Sequence, residues 1–281
     1  MNLTDDIPGI LPGRREFLLG GVAGLTLAGL AGAAPASGQQ CPPGGPVPGV
    51  EALVFDVFGT VVDWRASIIR EGQAFGLAHG LSVDWTKFAD DWRDGYRPAM
   101  QKVRSGQIPW INIDGLHRMI LDGLLEKYGI EGLAEAEVDH LNRAWHRLSP
   151  WSDSVPGLHR LKGHFIIATL SNGNVALLVD MAKNAGLPWD TVLSAELTGH
   201  YKPDPEVYQT AARLLGRPPE RVMMVAAHKG DLIAAKGVGF KTALVPRPLE
   251  FGPDRREDVS PDPHIDVYAT DFVDLAARLG A

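Results

Sequence analysis

The sequence predicts an α/β protein: a doubly wound parallel sheet, interrupted after its first strand by a block of helices. Three observations carry this expectation. Short apolar runs alternate with amphipathic helical stretches in two regions, residues 50–65 and 154–281. Between them, residues 66–153 show only the three- and four-residue spacing of helices. Finally, Asp56, Ser171, Lys202 and Asp231 each fall just after a predicted strand, the edge at which parallel sheets bind ligands.

Taken in order, residues 53–55 read as a buried strand ending on Asp56, and 67–79 as a helix. The stretch 84–102 carries Trp85, Phe88, Trp92 and Tyr96 on one helical face. Residues 113–128 repeat the pattern with Leu116, Ile120, Leu121, Leu124 and Leu125, and 135–148 with Val138, Leu141, Trp145 and Leu148. Such stripes are packing faces, so 66–153 is expected to be an inserted helical cap. After Pro156-Gly157 the alternation resumes. Strand 164–170, helix 174–185 closed by Gly186, strand 191–195 and helix 205–215 come first; strand 221–226, a helix including 231–236, and strand 242–245 follow. The Pro-, Asp- and Arg-rich stretch 248–263 reads as a surface loop.

Composition sets outer bounds. The chain has 281 residues, 45% hydrophobic and 22% charged, enough for one sizeable domain plus an insertion. Its net charge is −7, with no Lys/Arg run, so it lacks the electrostatic footprint of a nucleic-acid binder. The N-terminus differs from the rest. Arg14-Arg15-Glu16-Phe17-Leu18-Leu19 precedes a short Gly/Ala/Leu stretch and Ala34-Pro35-Ala36, the layout of a secretory signal with its cleavage site. The paired arginines point to a Tat signal over residues 1–36, hence to a periplasmic protein without a stable membrane span after processing. Residues 37–49 read as a Pro/Gly-rich linker holding Cys41. As the single cysteine, it can form no intrachain disulfide.

Asp56 is the residue best placed for chemistry, because a carboxylate can attack carbon or phosphorus and form a covalent ester. Four motifs frame it: Asp56-Val57-Phe58-Gly59-Thr60, Leu170-Ser171-Asn172-Gly173, Tyr201-Lys202-Pro203-Asp204-Pro205-Glu206-Val207-Tyr208, and a segment ending at Asp231. In this order and spacing they resemble the haloacid dehalogenase superfamily, and within it the type II (S)-2-haloacid dehalogenases. The resemblance runs from about residue 50 to the C-terminus.

That resemblance implies roles for the residues. Asp56 is the nucleophile, and Lys202 keeps it ionised and in position. Thr60, Ser171 and Asn172 orient Asp56 and the substrate carboxylate, with Asn172 helping to hold the leaving halide. Arg93, on the first cap helix, receives the halide as charge develops, and Tyr208 lies near the substrate carboxylate. Asp231 orients and deprotonates the water that attacks the ester. Read as isolated residues, Thr60, Ser171 and Asn172 serve equally well as helix caps, Arg93 as a solvated arginine, and Tyr208 as a core tyrosine.

Two positions depart from the superfamily's phosphatases. Phe58 stands where those enzymes carry an acid that protonates a departing alkoxide; a halide needs no proton, and an apolar ring shapes a small pocket. Ala227 stands near their Mg²⁺-binding carboxylate and supplies no hard oxygen ligand. No metal and no cofactor is therefore expected. The loop Ala226-Ala227-His228-Lys229-Gly230-Asp231 also departs from the Ser-Ser-Asn-x-x-Asp of the dehalogenases. His228, in place of Asn, is suited to act as a base near neutral pH or as a structural hydrogen-bond donor.

The expected activity is metal-independent hydrolysis of short (S)-2-haloacids to 2-hydroxy acids and halide through an Asp56 ester. The family's frequent dimers suggest a homodimer. Two other readings stay open: a superfamily phosphatase with an atypical acid and metal site, and a catalytically weak periplasmic binding protein on the same scaffold.

Overall fold

Strand β1 (Ala52–Phe55) is apolar and fully buried at every position, which marks a strand covered on both faces. In the computed structural model, which describes residues 47–255 and 258–281, it lies inside the sheet. The expected signal at 1–36, the linker residues up to 46 and Cys41 lie outside the described residues.

The chain leaves β1 through a tight turn into β2 (Val62–Asp63), then runs through α1 (Trp64–His79), α2 (Trp85–Arg104), α3 (Ile113–Lys127) and α4 (Glu135–Asn142). It returns on β3 (Ser149–Pro150), antiparallel to β2. The helical block is thus inserted between two short strands at its base. Trp92 and Trp145 meet edge to face within it, centroids 5.5 Å apart. Gly72 and Gly76 leave room on α1 for the Trp85 ring, which a Cβ at either position would approach within 2.4 or 2.5 Å.

The α/β alternation then follows: α5 (Ser154–Lys162), β4 (Ile166–Ser171), α6 (Val175–Ala185), β5 (Thr191–Ser194), α7 (Pro205–Leu215), β6 (Val222–Ala226), α8 (Lys229–Gly237) and β7 (Lys241–Leu244). β8 (Val267–Tyr268) and α9 (Phe272–Arg278) close the chain. Six strands form one parallel sheet in the order β5-β4-β1-β6-β7-β8. The chain builds outward from β1 on one side, then crosses to β6 and builds on the other. Asp56 and Ala227 follow the two strands that flank this switch point, where such sheets form their ligand crevice.

Several boundaries differ from the sequence expectation, each for a local reason. Helix α1 begins at Trp64, three residues early, because the Asp63 side chain caps the Ala66 N–H. The expected helix over 135–148 ends at Asn142 and tightens into a 3₁₀ turn over Arg143–His146. Strand β4 starts at Ile166, not 164, since the His164 and Phe165 N–H groups both donate to Leu161 and finish the turn after α5. Helix α5 was not expected. Pro156 lies in its first turn, where a missing N–H costs no helical hydrogen bond. The stretch 248–263 is not wholly a surface loop, because Glu250 is 1% exposed. Among the described residues, no helix is long and apolar enough to cross a membrane.

Candidate active site

Asp56 leaves β1 with its N–H on the Val225 carbonyl of β6, at 3.0 Å. Gly59, at φ +84°, then reverses the chain, a conformation with little cost only for glycine. The reversal brings Thr60 back to the acid. Its hydroxyl donates to Asp56 Oδ2 at 2.6 Å and accepts the Ala227 N–H at 2.9 Å.

Lys202 reaches the same carboxylate from the loop before α7. Its Nζ lies 3.0 Å from Asp56 Oδ1 and 2.5 Å from Asp231 Oδ2. Asn172, just past β4, accepts the Lys202 backbone N–H at 2.7 Å. Tyr208 of α7 donates its hydroxyl to Asp231 Oδ1 at 2.5 Å. It is therefore tied to Asp231 while also lining the cavity. Asp231 itself stands in the first turn of α8.

These contacts separate the two acids. Burial raises Asp56's carboxyl, but the Lys202 ammonium and His228 outweigh it and hold the acid well below the usual carboxylate range. Asp231 moves upward: burial raises it, and Asp56's charge adds to the rise against the pull of Lys202. Burial disfavours the Lys202 cation, yet the two carboxylates raise its pKa above that of an ordinary lysine. The site thus presents an ionised acid beside a fixed ammonium, and a second acid better able to take up a proton.

His228 bridges two carboxylates. Its Nδ1 lies 3.0 Å from Asp56 Oδ2 and its Nε2 2.8 Å from Glu250 Oε2. Burial works against the charged ring, but the two anions push its pKa up to about 10. At neutral pH both ring nitrogens therefore carry protons and donate. Of the two roles expected for His228, this arrangement favours the hydrogen-bond donor over the base.

Arg93 lies between aromatic faces, its guanidinium 5.4 Å from the Trp64 ring centre and 4.9 Å from that of Tyr96. Its side chain is 16% exposed and comes within 4.0 Å of Glu250 Oε1, so it is not a solvated surface arginine. Ser171, at the end of β4, accepts the Gly173 N–H at 3.1 Å. Phe58 packs against His117 and Trp145, with centroids 6.5 and 6.0 Å away. Gly173 makes space for it, since a Cβ there would sit 2.9 Å from the Phe58 ring.

Every site residue expected from sequence except Thr60 lines a single cavity of about 1040 Å³, and Thr60 is bonded to one that does. Glu250 is the residue that sequence reasoning missed. It accepts the Trp64 indole N–H at 3.0 Å on one oxygen and His228 on the other. No local pattern marks it, since it comes from the stretch that reads as a polar loop. Among the described residues, no three or more His, Cys, Asp or Glu side chains group to hold a metal. Asp56 and Asp231 share the Lys202 ammonium, and Ala227 adds only a methyl group, a donor set that does not fit an octahedral magnesium ion.

Known proteins resemble this chain over most of its length. Residues 50–239 match the family model of the haloacid dehalogenase-like hydrolases. The (S)-2-haloacid dehalogenase 4A of Burkholderia cepacia is 31% identical over 216 residues, covering 74% of this chain and 90% of that protein. The solved structure of an L-2-haloacid dehalogenase is 48% identical with a TM-score of 0.80, covering 83% of this chain and 99% of that one. A defluorinating L-2-haloacid dehalogenase is 47% identical with a TM-score of 0.81, covering 84% and 99%.

Proposed function

This chain belongs to the haloacid dehalogenase-like hydrolases, and among them to the (S)-2-haloacid dehalogenases; on that premise we propose that it converts short (S)-2-haloacids to 2-hydroxy acids through an ester on Asp56. The observation that carries the reading is the ionised Asp56 held by Lys202, with Phe58 and Ala227 where a phosphatase would need an acid and a metal ligand. Asp56 attacks C2 from the side opposite the halogen and displaces halide with inversion. Arg93, in the same cavity, receives the halide, where a fixed cation stabilises charge as it develops. Asp231 then takes a proton from the water that attacks the ester. Lys202 holds the two acids in register and keeps the nucleophile ionised.

Treating the protein with EDTA, adding (S)-2-chloropropionate and measuring chloride tests the reading. A single turnover in H₂¹⁸O is expected to place label in Asp56. Absence of chloride release, with Mg²⁺-dependent release of phosphate from p-nitrophenyl phosphate, refutes it. The likeness to a defluorinating relative supports adding a fluorinated acid to the assay.

A further inference from the structure

We propose that Glu250 is a positioning residue for the second half of this reaction: it holds the His228 imidazolium against Asp56 Oδ2, where that cation and the Thr60 hydroxyl form the oxyanion site for ester hydrolysis. The inference rests on the aspartyl-ester reading above and deepens it.

The two oxygens of Asp56 are not equivalent. Oδ2 already accepts two hydrogen bonds, from Thr60 at 2.6 Å and His228 at 3.0 Å. Oδ1 accepts one, from an ammonium it shares with Asp231. Oδ1 has the freer lone pairs and is the attacking atom. Oδ2 then becomes the ester carbonyl oxygen without leaving its two donors. When water adds to the ester, negative charge builds on that oxygen, and donors already in place there stabilise it with no reorganisation.

Ester formation changes the balance around His228. In the free enzyme two carboxylates hold the ring cationic. Once Asp56 is alkylated it is neutral, and burial then favours loss of the ring proton. Glu250 is the anion that remains, 2.8 Å from Nε2. It is also firmly placed. Its carboxylate is 1% exposed and bonded to Trp64 of α1. The reversing turn of the nucleophile motif leaves space for it: a Cβ on Gly59 would lie 2.1 Å from Glu250 Oε1. A carboxylate buried this deeply costs several kcal/mol unless paired, and His228 is its cationic hydrogen-bonding partner.

Water adds to Cγ of the Asp56 ester and gives one proton to Asp231, while the carbonyl electron pair moves onto Oδ2. The pair then returns, the Cγ–Oδ1 bond breaks, and the departing alkoxide takes the proton from Asp231. The proton left on the water-derived oxygen of Asp56 goes to solvent. His228 keeps its proton throughout.

Rapid-quench kinetics with (S)-2-chloropropionate, read by chloride release and intact-protein mass, test the proposal in wild type, E250Q and H228Q. E250Q keeps the side chain's shape and its acceptor for Trp64 but removes the charge. In both variants ester hydrolysis is expected to slow about 10²-fold, the scale of losing one oxyanion donor, while the chloride burst slows less than about tenfold. The ester on Asp56 then accumulates. The double variant is expected to be no slower than H228Q, because Glu250 acts through His228. A protein that lost its fold would lose both steps together, and thermal melting checks each variant. The proposal is overturned if E250Q turns over the ester at the wild-type rate, or if it slows both steps in equal proportion. If E250Q does not fold, H228Q decides, and wild-type hydrolysis there is equally fatal. A wild-type protein that releases no chloride and forms no ester refutes the dehalogenation reading instead.

Discussion

Replacing Lys202 with methionine removes the one cation that Asp56 and Asp231 share while keeping much of its length. Nζ lies 3.0 Å from one acid and 2.5 Å from the other, and all three side chains are at most 10% exposed. At an effective dielectric near 20, a unit charge pair at 3.0 Å is worth about 5 kcal/mol. Burying the ammonium takes part of this back, and breaking such a buried pair typically costs about 3 to 5 kcal/mol. If the nucleophile carries that loss, alkylation slows by about 10² to 10⁴-fold. The pH dependence has a definite sign. In the wild type Asp56 is held well below the usual carboxylate range, so alkylation is flat across neutral pH. In K202M the two acids face each other as like charges, and Asp231, the acid already raised in the wild type, takes up the proton while His228 still faces Asp56. Alkylation then stays flat in pH at its lowered rate, and ester hydrolysis, for which Asp231 is the base, recovers as pH rises. Rapid-quench chloride release and ester decay with (S)-2-chloropropionate between about pH 5 and 9 measure this. An alkylation rate within threefold of wild type at neutral pH, or ester hydrolysis in the variant that does not rise with pH, refutes the assignment of Lys202.

Three further outcomes follow from the same geometry, and a fourth from the N-terminal sequence. G59A forces a left-handed residue at φ +84° and drives a methyl into Glu250, so denaturant unfolding is expected to show a loss of about 2 to 3 kcal/mol. His228 contributes stability that is fully present below its unfolded pKa near 6.5 and is lost as pH rises through about 10; discounted for a side chain 29% exposed, this is about 2 kcal/mol, seen as an alkaline stability loss in wild type that H228Q lacks. F58D is expected to lose dehalogenation without gaining Mg²⁺-dependent turnover of p-nitrophenyl phosphate, because the new acid is buried against His117 and Trp145 and Ala227 still offers no ligand. Export is tested by cell fractionation: the full chain is expected in the periplasm, and changing Arg14 and Arg15 to lysine is expected to retain it in the cytoplasm.

The elements legible in the sequence are those long enough to show their period. Helix α7 is found over the residues its pattern marks, opened by Pro205 and ended by Gly216 in the left-handed region. Helix α2 is legible from Trp85, Phe88 and Trp92, all buried, despite Pro98 within it. What escaped is short or governed by distant contacts. Strand β8 has two residues and helix α9 seven, too few for a period to emerge. The end of α4 depends on partners far along the chain, since the turn after it seats His146 between Asp114 and Asp180, at 2.9 and 2.8 Å. The site shows the same division. Asp56 directly follows its strand as expected, whereas Lys202 lies beyond the 3₁₀ turn after β5 and Asp231 in the first turn of α8; the loops at that edge of the sheet bring the three together. The protonation of His228 could not be read locally, because it depends on an acid 22 residues away that only packing brings near.

That dependence joins His228, a departure from the family pattern, to a residue outside every motif. Where the family resemblance leads one to expect a neutral amide, His228 places a ring that must be either cationic or a lone-pair acceptor. On the proposed mechanism, beside Asp56 alone it would lose its charge in each cycle, when ester formation neutralises its partner. Glu250 supplies the missing anion, and it fits only because Gly59 has no side chain and Trp64 offers an indole N–H to the second oxygen. Such a pair is costly to hold half-formed: without His228 the buried carboxylate of Glu250 lacks a directly bonded cation, and without Glu250 the ring is a cation only while Asp56 is free. Arg93 lies 4.0 Å from Glu250 Oε1, within ion-pair range but without the direct hydrogen bond that His228 makes. The loop before Asp231 thus acts with the segment that bears Glu250, and the joint product is a fixed positive charge at Asp56 Oδ2. A fixed charge at that oxygen stabilises the hydrolytic transition state more than the alkylation transition state, because alkylation discharges the carboxylate whereas hydrolysis restores its charge. On the proposed mechanism, His228 and Glu250 together are therefore expected to speed the release of product from Asp56 relative to its capture of substrate.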